Sequence, residues 1–189
     1  RVSICMALAV ASGFAAEAPQ TEWGSRKVEV KQAGDQWILQ GQRLTVSIRS
    51  NNLAIQVKDQ DTPWSMEGST AGDLTVGLGG QTAALRLADA KKIEIAPYET
   101  GFKTGVKIRL SEYVHQEKPI EVGLQLFICL QGVDEDLVCE LIADETKAAV
   151  KECLWPGAFV PAEVDATVVP FMQGMLLPKN WPTRVYLYD

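Results

Sequence analysis

Apolar and polar residues alternate along most of this chain, and short turn signals separate the alternating stretches. In Leu44–Arg49 every apolar residue falls on an even position, and the stretches 27–31 and 92–96 follow the same period. Successive side chains of a β-strand point to opposite faces, so this period is typical of strands with one buried face. The turn signals recur about every 8–12 residues, as in sandwiches and barrels. The pattern predicts an all-β fold, a large antiparallel two-sheet β-sandwich of roughly ten to fourteen short strands.

Two regions require a choice between local structures. The longest apolar run, 120–130, is predicted as one strand in which Gly123 weakens the pairing or marks a bulge. An acidic turn at 132–136 and a returning strand at 137–142 would complete a hairpin. Residues 147–153 fit either a helical turn by propensity or a strand. The alternation in 149–154 favours the strand.

The first residues have the composition of a secretory signal. Arg1 precedes an apolar run at 2–11 and a stretch of small residues that ends near Ala16. We expect a signal helix at 1–16, truncated at its start, followed by a β-sandwich domain at 17–189. The apolar run is too short to span a bilayer, and an apolar N-terminal strand is the alternative. The signal predicts a secreted or periplasmic protein without a membrane span.

Charge and composition limit the partners and cofactors of the chain. The formal net charge is −6 and no basic cluster occurs, so nucleic acid and anionic membranes are poor partners. No Cys-x-x-Cys pair is present and His115 is the only histidine, so we expect no metal site and no cofactor. Cys129, Cys139 and Cys153 all have apolar neighbours, which favours three buried thiols over one disulfide plus a free thiol.

Candidate catalytic and binding side chains are few. The acidic runs 134–136 and 144–145 fall at predicted turns, where we expect solvated surface rather than an acid–base pair. His115 follows a predicted strand and is interpreted as a strand-end residue. The aromatic residues that could stack on sugar rings, although tryptophan in a sandwich is more often part of the core, are Trp64, Trp155, Trp181 and Tyr98.

The stretch 154–182 differs from the rest of the chain. It contains Pro156, Pro161, Pro170, Pro178 and Pro182, which exclude one long helix because proline lacks an amide hydrogen and restricts the preceding residue. Two interpretations remain open. The stretch is either a crossover that caps the core of the sandwich or a ligand-facing loop of a larger enzyme.

Two motifs in this stretch resemble a known family. Pro156-Gly157-Ala158-Phe159 and the segment 170–178, PFMQGMLLP, are similar to N-terminal domains of secreted TIM-barrel glycoside hydrolases. In those enzymes a β-supersandwich, related to galactose mutarotase, precedes a catalytic barrel. The resemblance implies that this chain is the front part of a longer exported enzyme and packs against a missing barrel.

The resemblance also implies where carbohydrate would be met. It supplies no catalytic residue, because no room is left for a barrel of roughly 200 or more residues. A free-standing exported carbohydrate-binding module and a structural envelope protein are the alternatives. The residues expected to border a sugar site, with Trp181 on a loop among polar neighbours, are Gln173, Lys179, Asn180 and Trp181.

Overall fold

The fold is an all-β antiparallel sandwich, as the alternating pattern predicts. The computed structural model describes residues 24–145, 148–160, 165–169 and 175–179. Within these ranges the only helical element is a 3-10 turn at Leu87–Asp89. The strands are β1 (Glu29–Ala33), β2 (Gln36–Gln40), β3 (Leu44–Arg49), β4 (Ile55–Asp59), β5 (Thr62–Met66), β6 (Leu74–Leu78), β7 (Gln81–Leu85), β8 (Lys92–Glu99), β9 (Lys103–Ser111), β10 (Tyr113–His115), β11 (Lys118–Ile120), β12 (Gly123–Gln131), β13 (Asp136–Asp144), β14 (Ala149–Cys153), β15 (Ala166–Val169) and β16 (Met175–Pro178).

The first five strands form one meandering sheet in the order β1-β2-β3-β4-β5. Gly34 has φ +63° in the turn between β1 and β2, a backbone conformation that favours glycine. The turn between β4 and β5 is short. Asp59 pairs with Thr62, so Gln60 and Asp61 alone make the turn.

The remaining sheets complete the sandwich. One has four strands in the order β13-β12-β9-β8, one has three in the order β14-β6-β7, and β10–β11 and β15–β16 are two-stranded. The strand preferred for 149–154 is confirmed as β14, and the predicted hairpin is confirmed as β12–β13. His115 ends β10, as predicted.

A single hydrophobic core joins the sheets. Leu39, Val46 and Val57 are paired neighbours on the five-stranded sheet, and all three are fully buried. Ile108 and Leu126 are paired on the four-stranded sheet and are equally buried. All five belong to the same core cluster, and each such side chain contributes about 1.5–3 kcal/mol by leaving water.

The apolar run 120–130 is not one strand, so that prediction is wrong. The N–H of Val122 donates to the carbonyl of Ile120 at 3.1 Å, which closes a three-residue turn. Ile120 pairs instead with Tyr113 in the β10–β11 hairpin, and Gly123 begins β12. Glu121 at the centre of the turn and Gln125 beyond it fit the polar face of one continuous strand, so the alternation concealed the break.

The acidic turn 132–136 is also not entirely solvated surface. Glu135 is 1% exposed and its carboxylate accepts the backbone N–H groups of Gln42, Arg43 and Leu44 at 2.5, 2.7 and 2.9 Å. A Cβ on Gly41 would lie 2.5 Å from Oε2 of Glu135, so the close approach requires glycine there. This carboxylate fastens the β12–β13 turn to the β2–β3 turn.

The charge of Glu135 is stabilised in its buried position. Burial opposes ionisation, but the three backbone donors and the nearby Arg26 together hold the pKa of the carboxyl below the ordinary 4.5. The group is therefore a carboxylate at neutral pH, where it accepts hydrogen bonds only.

The three described cysteines are free thiols, as expected from the sequence, but only one of them is fully buried. Cys129 is buried, and Cys139 and Cys153 are half-buried. Desolvation raises the pKa of each thiol to about 11. At neutral pH these side chains therefore act as small hydrophobic groups.

One predicted element, the signal helix at 1–16, lies outside the described residues. In the part of the chain that is described, no helix has the length and hydrophobicity needed to cross a membrane.

Candidate functional site

The segment from Leu154 to Val160 lies along the edge of β5. The N–H of Glu67 donates to the carbonyl of Ala158 at 2.8 Å, and the N–H of Val160 donates to the carbonyl of Ser65 at 2.9 Å. The segment therefore extends the five-stranded sheet as a short antiparallel edge strand, with Met66 opposite Phe159. This part of 154–182 closes a sheet edge rather than crossing over the core.

Gly157 allows this close approach. A Cβ at Gly157 would lie 2.2 Å from the carbonyl oxygen of Glu67, which no side chain could tolerate without movement. The preceding Trp155–Pro156 peptide bond is cis. The turn at 155–157 joins the end of β14 to the edge of β5.

A cavity of about 430 Å³ opens beside this turn. Its volume is within the range of small-molecule sites, about 300–1,000 Å³. One wall consists of Cys153, Leu154, Trp155, Pro156, Gly157 and Ala158, and the other of Glu67, Gly68, Ser69, Thr70 and Asp73.

Asp73 forms hydrogen bonds to both walls of the cavity. It is 3% exposed, and its two carboxylate oxygens accept the backbone N–H groups of Leu87 at 2.7 Å and Thr70 at 2.9 Å. Its own carbonyl accepts the N–H of Leu154 at 2.8 Å. Because one buried residue holds both walls, the cavity is formed before any ligand arrives.

A second layer of hydrogen bonds supports the 67–73 wall. The hydroxyl of Tyr113 donates to the carbonyl of Leu87 at 2.9 Å, and the N–H of Ala88 donates to Oγ of Ser69 at 3.0 Å. Tyr113 is fully buried, and desolvation raises the pKa of its phenol. The phenol therefore remains protonated and keeps its hydrogen bond to Leu87 in the 3-10 turn. Because Ala88 of the same turn bonds to Ser69, the wall is connected through the turn to Tyr113.

Trp155 lines the cavity and has an unsatisfied polar atom. Its ring is half-buried and packs against the core, but its Nε1–H is buried and has no acceptor among the residues that the structure describes. A buried donor without a partner costs about 1–3 kcal/mol. Such a group in a cavity wall often marks the position of a bound water or ligand.

Polar side chains also line a cleft of about 440 Å³ that includes Gln32 and Asp35, and two further clefts. The larger, of about 610 Å³, lies at the β10–β11 hairpin and includes Lys91, Glu112, Glu121 and Asp144. Among the residues that the structure describes, no group of His, Cys, Asp or Glu is placed to hold a metal ion. The second, of about 330 Å³, is a groove at one end of the five-stranded sheet, lined by Gln36, Ser47, Arg49, Gln56, Ser65 and Glu67 among others.

The site residues expected from the sequence are only partly described. Lys179 follows β16, is exposed, and donates its N–H to the carbonyl of Asp165 at 2.8 Å. Gln173, Asn180 and Trp181 lie outside the described residues. The structure thus positions one of the four.

The aromatic candidates separate into different environments. Trp64 packs against the core and contacts Phe159, with 5.4 Å between ring centroids. Tyr98 contacts Phe127 at 4.8 Å on the outer face of the four-stranded sheet. Of the described aromatic candidates, Trp155 is the one that lines the 430 Å³ cavity. Asp73, which builds that cavity, carries no sequence signal because its partners are distant in the chain.

Comparison with known protein families, curated proteins and solved structures finds no match to this chain. The class of the protein is therefore defined by its fold alone, an all-β antiparallel sandwich domain. Its particular function has to be argued from the cavity, the exposed surfaces and the two motifs of 154–178.

Proposed function

We propose that this chain is a non-catalytic β-sandwich domain of an exported glycoside hydrolase, which packs against a catalytic barrel and borders its sugar site. The observation that carries the proposal is the exposure of large apolar side chains after β14. Seven large hydrophobic side chains are exposed in the described part of the chain, and four of them fall between 154 and 176. These four are Leu154, Phe159, Val168 and Leu176.

The β15–β16 hairpin concentrates this exposure. Val168 and Leu176 are directly opposite each other in the ladder, so they form one apolar pair, 69% and 61% exposed. A two-stranded hairpin is marginally stable by itself, and adjacent exposed apolar side chains are typical of protein interfaces. The hairpin includes part of the motif that resembles the domain junction of the secreted hydrolases. Packing against a second domain would cover the pair.

The size and activity of the native protein test the proposal. Antibodies raised against the purified chain would isolate the native polypeptide from the secreted or periplasmic fraction of the organism that encodes it. We expect a polypeptide longer by at least roughly 200 residues, the size of a barrel, that hydrolyses glycosides. A native polypeptide of this chain's own size without hydrolase activity would overturn the proposal.

Substitutions in the hairpin test the junction itself. In the native-length enzyme, V168D combined with L176D should loosen the sandwich from the barrel and increase protease cleavage between them. I142D is the matched control, because Ile142 is also exposed but lies on β13. Equal cleavage of the two variants would argue against a junction at the hairpin.

A free-standing carbohydrate-binding module is the second candidate. The walled cavity beside Trp155 favours it, since this site needs no residue from another domain. A native protein of this chain's size that binds glycans would support this candidate over the first.

A further inference from the structure

We infer that the cavity beside Trp155 binds a neutral sugar ring. The inference rests on the carbohydrate role proposed above, but it concerns a site built by this chain alone. Its test therefore does not depend on a catalytic domain, and a negative result would leave the proposed junction unaffected.

The turn-side wall supplies an apolar platform. Leu154, Trp155 and Pro156 present carbon surface to the cavity, and Leu154 is exposed. The C–H face of a pyranose ring is apolar and flat, so it packs well on an indole and a neighbouring pyrrolidine. Ligand sites usually combine such apolar surface with a few fixed polar groups.

The opposite wall supplies hydrogen-bonding groups. Oγ of Ser69 accepts the N–H of Ala88, so its hydroxyl hydrogen stays available to donate. The hydroxyl of Thr70 and the carboxylate of Glu67 take part in no hydrogen bond or ion pair among the described residues. Sugar hydroxyls both donate and accept, and this set of groups can serve them in both directions.

The charge of the lining selects against anions. Glu67 and Asp73 are the charged residues of the lining, and no lysine, arginine or histidine is among them. Both carboxylate oxygens of Asp73 are already occupied by backbone N–H groups. Arg86 donates to the backbone carbonyl of Ser69 at 3.0 Å but does not itself line the cavity. A phosphate or uronate would therefore meet the Glu67 carboxylate with no cation in the lining, so a neutral sugar fits better than an acidic one.

The unsatisfied indole N–H of Trp155 favours a polar ligand over an apolar one. Among the described residues it is a buried donor without an acceptor, and a purely apolar ligand would leave it so. A ring hydroxyl that reached Nε1 would provide an acceptor, with a small movement of the wall because Nε1 itself has almost no accessible surface. Because Asp73 fixes both walls, little ordering has to accompany binding.

The test follows the tryptophan indole N–H resonances of the ¹⁵N-labelled chain by NMR. W155F assigns the Trp155 signal by its disappearance. The chain is then titrated with neutral hexoses, pentoses and their disaccharides at millimolar concentration. We expect the Trp155 signal to shift saturably with at least one sugar, while the signal of Trp64 stays unchanged.

Variants of each wall locate the binding. The loss of one hydrogen bond should weaken affinity by about 3- to 10-fold in T70V and in W155F. Q32A is the matched control, because Gln32 lines a cleft that shares no residue with this cavity, and its affinity should equal that of the unmodified chain. If W155F fails to fold, T70V and E67Q carry the comparison.

Three results would overturn the inference. The first is an unshifted Trp155 signal with every sugar while the spectrum remains dispersed. The second is an equal shift with glycerol, which would mean an adventitious polyol only. The third is tighter binding of glucuronate than of glucose, which would contradict the argument from charge.

Discussion

The body of the sandwich buries most of its large apolar side chains, whereas the described segment after β14 exposes several of them. Val46 and Val57 pair across neighbouring strands in the body and are fully buried by the facing sheets. Val168 and Leu176 pair in the same manner, yet both are largely exposed. The same cross-strand pairing therefore has a different result in each region. In the body it fills a core, and in the β15–β16 hairpin it presents a surface.

Truncation of a core side chain should have the largest effect. L126A removes a fully buried side chain from β12 and should lower the free energy of unfolding by about 2–5 kcal/mol, because a cavity remains. L176A should change it by less than about 0.5 kcal/mol, since that side chain already contacts water. Urea unfolding measures both. A large cost for L176A would remove the contrast between the two regions.

The buried carboxylate that joins two turns of the body should rank second. E135Q keeps the shape but gives up charge-assisted bonds to three backbone donors, and should cost about 1–3 kcal/mol at neutral pH. The exposed neighbour Asp134 provides the control, and D134N should be neutral.

The same carboxylate predicts a pH dependence. The folded pKa of Glu135 is lower than the ordinary 4.5, so its contribution is fully present above 4.5 and is lost as pH falls through the folded value. The stability difference between the chain and E135Q should therefore shrink below pH 4.5. A difference that stays constant down to low pH would show that the charge is not the cause.

A substitution where the edge strand approaches β5 should have the third-largest effect on stability. G157A places a Cβ 2.2 Å from the carbonyl of Glu67 and should cost about 1–3 kcal/mol as the segment shifts. In G123A the nearest atom would be 3.5 Å away, an ordinary contact, so that variant should be tolerated. Similar unfolding midpoints for the two variants would contradict the geometry.

Thiol reactivity should give the smallest effect, and it compares the core with the cavity. Desolvation raises the thiol pKa of Cys129 and Cys153 to about 11, so both should react slowly with iodoacetamide at neutral pH. Cys153 lines the cavity and Cys129 does not. A bound sugar should slow alkylation of Cys153 alone, measured by mass spectrometry of peptides. Equal protection of both thiols would indicate general stabilisation instead.

Local structure was predictable because its causes are local. The alternation in β3 and the turn between β12 and β13 require only neighbouring residues, and each appears where the sequence places it. The buried roles of Glu135 and Asp73 were not predictable from the sequence. Glu135 and Gln42, whose backbone N–H donates to it, are 93 positions apart, and an acidic run gives no sign of which carboxylate turns inward. The cavity has the same origin, since its walls come from residues near 70 and near 155.

The edge strand formed by Ala158–Val160 has a further consequence for solubility. An open sheet edge offers unpaired N–H and C=O groups to other molecules and promotes aggregation. Along β5 these groups are taken up at Ser65 and Glu67 by the added strand, while Pro63 has no N–H to offer. The turn that borders the cavity thus also shields the sheet from self-association. A chain that ends before Pro156 should form oligomers through β5, detectable by light scattering, even if its core folds.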